Sequence, residues 1–182
     1  MEIMMAVIRR LNRKSGSTNT DIINTPEALL LYAKQHGFND SILDIEGLIK
    51  HFGITIVQEP LPDDISGLFY RNDVGVYTIK VNSLHHPKRQ RFTLAHELAH
   101  YCLHRHLQTD FEDRVLFRGG EISPEENEAN SFAGEILMPT EQFMENIRAG
   151  NNSIQELSDA FKVSSLAVRV RAKQLGLRGH GL

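Results

Sequence analysis

The residues best suited to chemistry lie within segment 92–101, where His96, Glu97 and His100 form the pattern His-Glu-x-x-His. On a helix, residues four positions apart lie on one face, about one turn from each other. The two imidazoles can therefore face a single metal ion. Glu97 lies beside them, where it could accept a proton from a water molecule activated by that metal. The pattern predicts a hydrolytic metal site.

A helix from about 87 to 106 must position these residues. It carries apolar residues at the spacing of a buried helix, namely Leu94, Ala95, Leu98, Ala99 and Leu103. Two histidines on such a helix are usually core residues or a surface pair. Here the glutamate between them, and acidic residues further along the chain, favour a metal site.

A catalytic zinc ion usually takes three protein ligands and leaves one position for water. His104 continues the series of His96 and His100, but eight helical residues span a rise of about 12 Å. His96 and His104 therefore cannot share one ion. We interpret His104 as a residue beside the site or on the surface.

The third ligand is expected among carboxylates on the helix that Ser123 is predicted to cap. These carboxylates are Glu125, Glu126, Glu128 and Glu135. The first two belong to the first turn, where solvated acids are common. The other two share a face with Phe132, which is expected to point inward. We therefore prefer Glu128, with Glu135 as the alternative.

The composition predicts a cytoplasmic protein with one substantial core. The chain has 182 residues and a net charge of −3, so no overall basic field favours nucleic acid. Cys102 is the only cysteine, which excludes an internal disulfide and fits a reducing compartment. No apolar run reaches the ~18 residues that a membrane span needs.

Helical and strand patterns together predict an α+β fold. Three strands are expected at 54–57, 66–71 and 75–82. The last is a candidate for the edge strand that binds substrate, although an ordinary structural strand fits equally well. We expect an N-terminal tail at 1–23, a domain that carries the metal site at 24–150 and a small helical unit at 151–182.

The unit at 151–182 has the pattern of a helix-turn-helix, two short helices joined by a tight turn. Its second helix is basic, with Arg169, Arg171, Lys173 and Arg178. Contacts with DNA phosphates would explain this charge. The favoured interpretation is that these helices pack on the core of the larger domain and help to recognise a protein partner.

Three segments resemble the ImmA/IrrE family of bacterial metallo-endopeptidases. They are Arg-Phe-Thr-Leu-Ala-His-Glu-Leu-Ala-His at 91–100, Glu-Ala-Asn-Ser-Phe-Ala at 128–133 and Leu-Met-Pro at 137–139. The resemblance covers about 41–139. It implies that His96, His100 and Glu128 bind zinc and that Glu97 is the general base. It also implies a gluzincin-like core, in which a small antiparallel or mixed sheet packs on the active-site helices.

The resemblance also implies a substrate class. Relatives cleave helix-turn-helix repressors of the phage type, often encoded beside the peptidase in mobile elements, and some belong to toxin–antitoxin-like pairs. We expect a zinc endopeptidase that cleaves one cytoplasmic repressor or antitoxin-like partner. The alternative is a non-proteolytic metal-binding regulator that binds a repressor or DNA. A purely structural zinc is disfavoured, because such sites are usually rich in cysteine.

Overall fold

The computed structural model describes residues 23–105, 110–114 and 123–177. Almost all of the predicted N-terminal tail and the basic residue at position 178 lie outside them. The described residues form seven helices and four strands, an α+β fold as predicted. In chain order these are α1 (Pro26–Gln35), α2 (Ile45–His51), β1 (Thr55–Glu59), β2 (Ile65–Arg71), β3 (Tyr77–Asn82), α3 (Pro87–Leu103), β4 (Asp110–Arg114), α4 (Pro124–Leu137), α5 (Thr140–Arg148), α6 (Ile154–Phe161) and α7 (Ser165–Gln174).

The four strands make one mixed sheet in the order β1-β3-β2-β4. β1 runs parallel to β3, and the other two pairs are antiparallel. The prediction that strand 75–82 is an edge strand is wrong, because β3 is hydrogen-bonded to a neighbour on each side. A fourth strand, β4, lies where the sequence patterns predict none. Its sequence Asp-Phe-Glu-Asp-Arg is mostly charged and therefore gives a weak strand signal.

Short polar side chains cap five of the seven described helices, and the cap at Ser123 is the one that the sequence predicts. The Thr25 hydroxyl accepts from Ala28 N, and the Ser123 hydroxyl accepts from Glu126 N. Helix α2 begins directly after Asp44, whose carboxylate accepts from Gly47 N. Aspartate is a strong capping residue.

Helix α3 is the central element of the fold. One side contacts β2 and β3, and another contacts α4, so the segment with the two histidines is enclosed. It ends at Leu103, three residues before the predicted end. Among the described residues, no helix is long and apolar enough to cross a membrane.

The last two helices share apolar contacts with the rest of the molecule. Their buried residues belong to the same core cluster as those of α1 to α5. Arg171 of α7 points inward, where it donates to Met138 O at 3.1 Å and to Thr140 Oγ1 at 2.8 Å, and it pairs with Glu135. One of the basic residues expected on the surface is therefore an internal anchor. The division at residue 150 and the helix-turn-helix assignment stay predictions.

Candidate metal centre

Helix α3 carries His96, Glu97 and His100, and it begins with a capping residue and a proline. His86 caps the helix through Lys88 N, and Pro87 occupies its first position. Ten residues later His96, Glu97 and His100 are at most 1% exposed. Burying imidazoles and a carboxylate is costly unless they are hydrogen-bonded or bind a metal. Such burial is therefore a feature of a functional site.

Glu126 of α4 completes the cluster. The two Nε2 atoms of His96 and His100 are 3.0 Å apart. The Glu126 carboxylate places Oε2 at 3.1 Å from His96 Nε2 and Oε1 at 3.2 Å from His100 Nε2. In a tetrahedral zinc site with bonds of about 2.0 Å, neighbouring ligand atoms lie about 3.3 Å apart. The three residues therefore fit a metal ion, and they supply the two imidazoles and one carboxylate of a His₂Glu catalytic site.

The structure corrects the preference for Glu128 over Glu126. The Glu128 side chain is 66% exposed and approaches His104 Nε2 at 3.1 Å instead of the paired histidines. Glu135, the alternative, pairs with Arg171 at the other end of α4.

The side chains of two helical residues that are two positions apart in the sequence point in directions that differ by about 200°. An error of two positions in the sequence therefore selects nearly the opposite face of α4. The signal that could have found Glu126 is a pair of small residues, Ala129 and Ala133, at three and seven positions after it. Both are fully buried, and small residues on that face allow close contact with another element.

The pKa shifts of Glu126 and His100 favour the forms that bind a metal, a carboxylate and a neutral imidazole. Burial alone would raise the pKa of Glu126, but hydrogen bonds and charges of His100 and His96 outweigh it and hold that pKa well below its usual range. Burial lowers the pKa of His100, against the opposing effect of Glu126. A carboxylate and neutral imidazoles are the forms that bind a metal.

Other polar residues near the site have structural roles. Tyr101 packs edge-on against Phe69 and Tyr77. Cys102 is buried, as expected of a small core thiol. Neither residue is part of the candidate metal cluster.

A family model described as the IrrE N-terminal-like domain of peptidase family M78 matches residues 49–173. The match covers more than half of the chain and includes all four residues of the candidate site. The chain belongs to this family. The resemblance seen in the sequence is therefore confirmed, and the family is one of metallopeptidases. Its match extends across the predicted boundary at residue 150.

A solved structure of a Mycobacterium tuberculosis transcriptional regulator is similar to this family member. The two are 20% identical with a TM-score of 0.55, over 93% of this chain and 50% of that chain. At this identity the similarity shows the fold alone. The present chain spans half the length of that protein. No curated protein matches this chain.

Proposed function

We propose that this chain is a zinc-dependent endopeptidase that cleaves one specific protein. The observation that carries the proposal is the buried cluster of His96, His100 and Glu126 with Glu97 next in sequence to the first ligand. Membership of a metallopeptidase family supports the reaction class. A structural metal site is disfavoured, because its ligands would need no buried carboxylate beside them.

The residues of the candidate site have two roles in peptide hydrolysis. His96, His100 and Glu126 would hold a zinc ion, which would supply Lewis acidity to a water molecule and to the scissile carbonyl. Glu97 takes the proton from the attacking water and delivers it to the leaving amine. Burial of Glu97 strengthens the electrostatic interaction of its carboxylate with the attacking water, because few solvent dipoles screen it.

We propose that the substrate strand binds along β4 rather than along β3. β4 is the edge strand that pairs with β2, and the β2 residue Gly67 lies directly against Glu97. An extended peptide added to this edge would form backbone hydrogen bonds with the sheet. β4 thus takes the substrate-binding role for which the sequence makes strand 75–82 a candidate.

The partner is proposed to be a helix-turn-helix repressor of the phage type or an antitoxin-like protein in the cytoplasm. The family membership supports this class. The exposed residues Arg169 and Lys173 of α7 are available for a partner, while Arg171 is committed to the interior. This reduces the basic charge available to DNA, and recognition of a protein is favoured.

Where a helix-turn-helix repressor is encoded next to this gene, the test is co-expression with that repressor. The repressor's intact mass is compared for the wild type, for Glu97→Gln and for the control Glu141→Gln, which changes an exposed carboxylate on α5. Fragments with the wild type and the control, and none with Glu97→Gln, are expected. An intact repressor in a stable complex with all three proteins would instead favour a non-proteolytic regulator.

A further inference from the structure

His104 connects the candidate metal centre to Glu128. It lies one helical turn after His100, with the two Nδ1 atoms 3.0 Å apart. On its other side, His104 Nε2 lies 3.1 Å from Glu128 Oε2. His104 is 2% exposed, whereas Glu128 is mostly exposed. Side chains of α3 and α4 thus form a hydrogen-bonded chain from the surface to a candidate ligand.

The chemistry of these groups gives the chain a direction. A carboxylate only accepts hydrogen bonds, so His104 Nε2 donates to Glu128. The Nδ1 atom of a neutral His104 then accepts, and His100 Nδ1 donates to it. His100 Nε2 then offers a lone pair to a metal ion, whereas in the other tautomer the same atom would donate to Glu126 Oε1, 3.2 Å away. The hydrogen-bonded chain to Glu128 favours the first tautomer, which can bind a metal through Nε2.

We propose that His104 and Glu128 are positioning residues that hold His100 in this tautomer and orientation. The proposal rests on the proposed function, because it concerns the same metal centre. Hydrogen-bonded partners of metal ligands orient the ring and increase its basicity. Here a second histidine stands between the ligand and the carboxylate. Water can replace the exposed Glu128 as the acceptor for His104 Nε2, so the buried His104 contributes more than Glu128 to the orientation of His100.

The first test is the zinc affinity of the metal-free protein, titrated with Zn²⁺ in competition with a chromophoric chelator. His104→Leu removes the acceptor and is expected to weaken binding about 10–100-fold. His104→Asn places an amide oxygen near the position of Nδ1 and should restore most of the affinity. Glu128→Ala should cause a smaller loss than His104→Leu. The control Glu141→Ala, another exposed carboxylate, should leave the affinity unchanged.

Long-range ¹H–¹⁵N NMR spectra provide the second test, because they show which ring nitrogen of His100 carries the proton. In the metal-free wild type and in His104→Asn this should be Nδ1, whereas in His104→Leu the proton should move towards Nε2, which can donate to Glu126. Wild-type affinity in His104→Leu, or equal losses in His104→Leu and His104→Asn, would overturn the proposal. Unchanged affinity in Glu128→Ala would overturn the role of Glu128, and this exposed site tests the chain even where His104→Leu does not fold.

The outcomes separate this proposal from the proposed function. A wild-type protein that binds zinc and cleaves no repressor would contradict the peptidase while the positioning result stands. Wild-type affinity in His104→Leu, together with cleavage, would contradict only the positioning role. A wild-type protein that binds no zinc would overturn both.

Discussion

Gly67 of β2 and Glu97 of α3 are in such close contact that a β-carbon at position 67 would lie 2.6 Å from Glu97 Oε1. The same β-carbon would lie 2.5 Å from Thr93 Cγ2. Both distances are far below van der Waals contact. Strand β2 can therefore pack this closely against Glu97, the proposed general base, only if residue 67 is glycine.

Gly67→Ala is expected to lower kcat while zinc stays bound. The added methyl group must displace Glu97 or Thr93, and overpacking of this kind costs about 1–3 kcal/mol of stability. Steady-state kinetics and zinc content measure the two effects. The control is Gly134→Ala, a buried helical glycine whose β-carbon would have no neighbour closer than 3.6 Å. Full activity in Gly67→Ala would show that the position of Glu97 does not depend on this contact.

Glu97→Gln should retain zinc and lose cleavage. Glutamine fills the same volume, but it cannot take the proton from the attacking water, a step worth about 10²–10⁴-fold in rate. Fragment yield by intact mass and metal content by elemental analysis are measured on the same sample. Loss of zinc together with activity would show that Glu97 supports the metal instead of acting as a base.

The sequence predicts what depends on local geometry. The histidines of His-Glu-x-x-His face one point because residues four apart share a face of α3, whatever the rest of the chain does. The cap at Ser123 is equally local, since its hydroxyl reaches a backbone group only three residues away. These features are therefore present in the structure where the spacing placed them.

Features that depend on long-range packing were predicted less well. The choice between Glu126 and Glu128 depends on how α4 rotates against α3, a rotation that the small residues Ala129 and Ala133 indicate but do not determine alone. The edge position assigned to strand 75–82 was wrong for a similar reason. The order of strands depends on pairing between distant segments, and one of them, β4, has a mostly charged sequence.

Arg171→Ala should destabilise the protein by about 3 kcal/mol. Removing one partner of a buried ion pair leaves the other charge unpaired, and Glu135 keeps partial access to water, which places the cost at the low end. Denaturant unfolding of the metal-free protein gives the free energy of unfolding. Arg171→Lys should recover only part of it, because an ammonium group lacks the planar fork that contacts three oxygens.

Arg169→Ala is the matched control for this prediction. It removes an arginine from the exposed side of the same helix and should change the free energy of unfolding by less than about 0.5 kcal/mol. Equal effects of the two alanine substitutions would contradict the assignment of Arg171 as an internal anchor.

The Cys102 thiol should resist alkylation in the folded protein. Burial raises the pKa of Cys102 to about 12, although Arg105 opposes this shift. A free thiol in an unfolded chain has a pKa of about 8.5. At pH 8 the folded protein therefore has almost no thiolate, and the unfolded chain has a substantial fraction. Labelling by iodoacetamide, followed by mass spectrometry with and without denaturant, checks this. Equal rates under both conditions would contradict the burial of the thiol.

The zinc content of three purified variants tests the central claim most directly, because it identifies the residue that completes the metal centre. We expect about one zinc per chain in Glu97→Gln, near-complete loss in Glu126→Ala, and weakened but measurable binding in Glu128→Ala. Full zinc content in Glu126→Ala, with loss confined to Glu128→Ala, would contradict the metal centre of His96, His100 and Glu126.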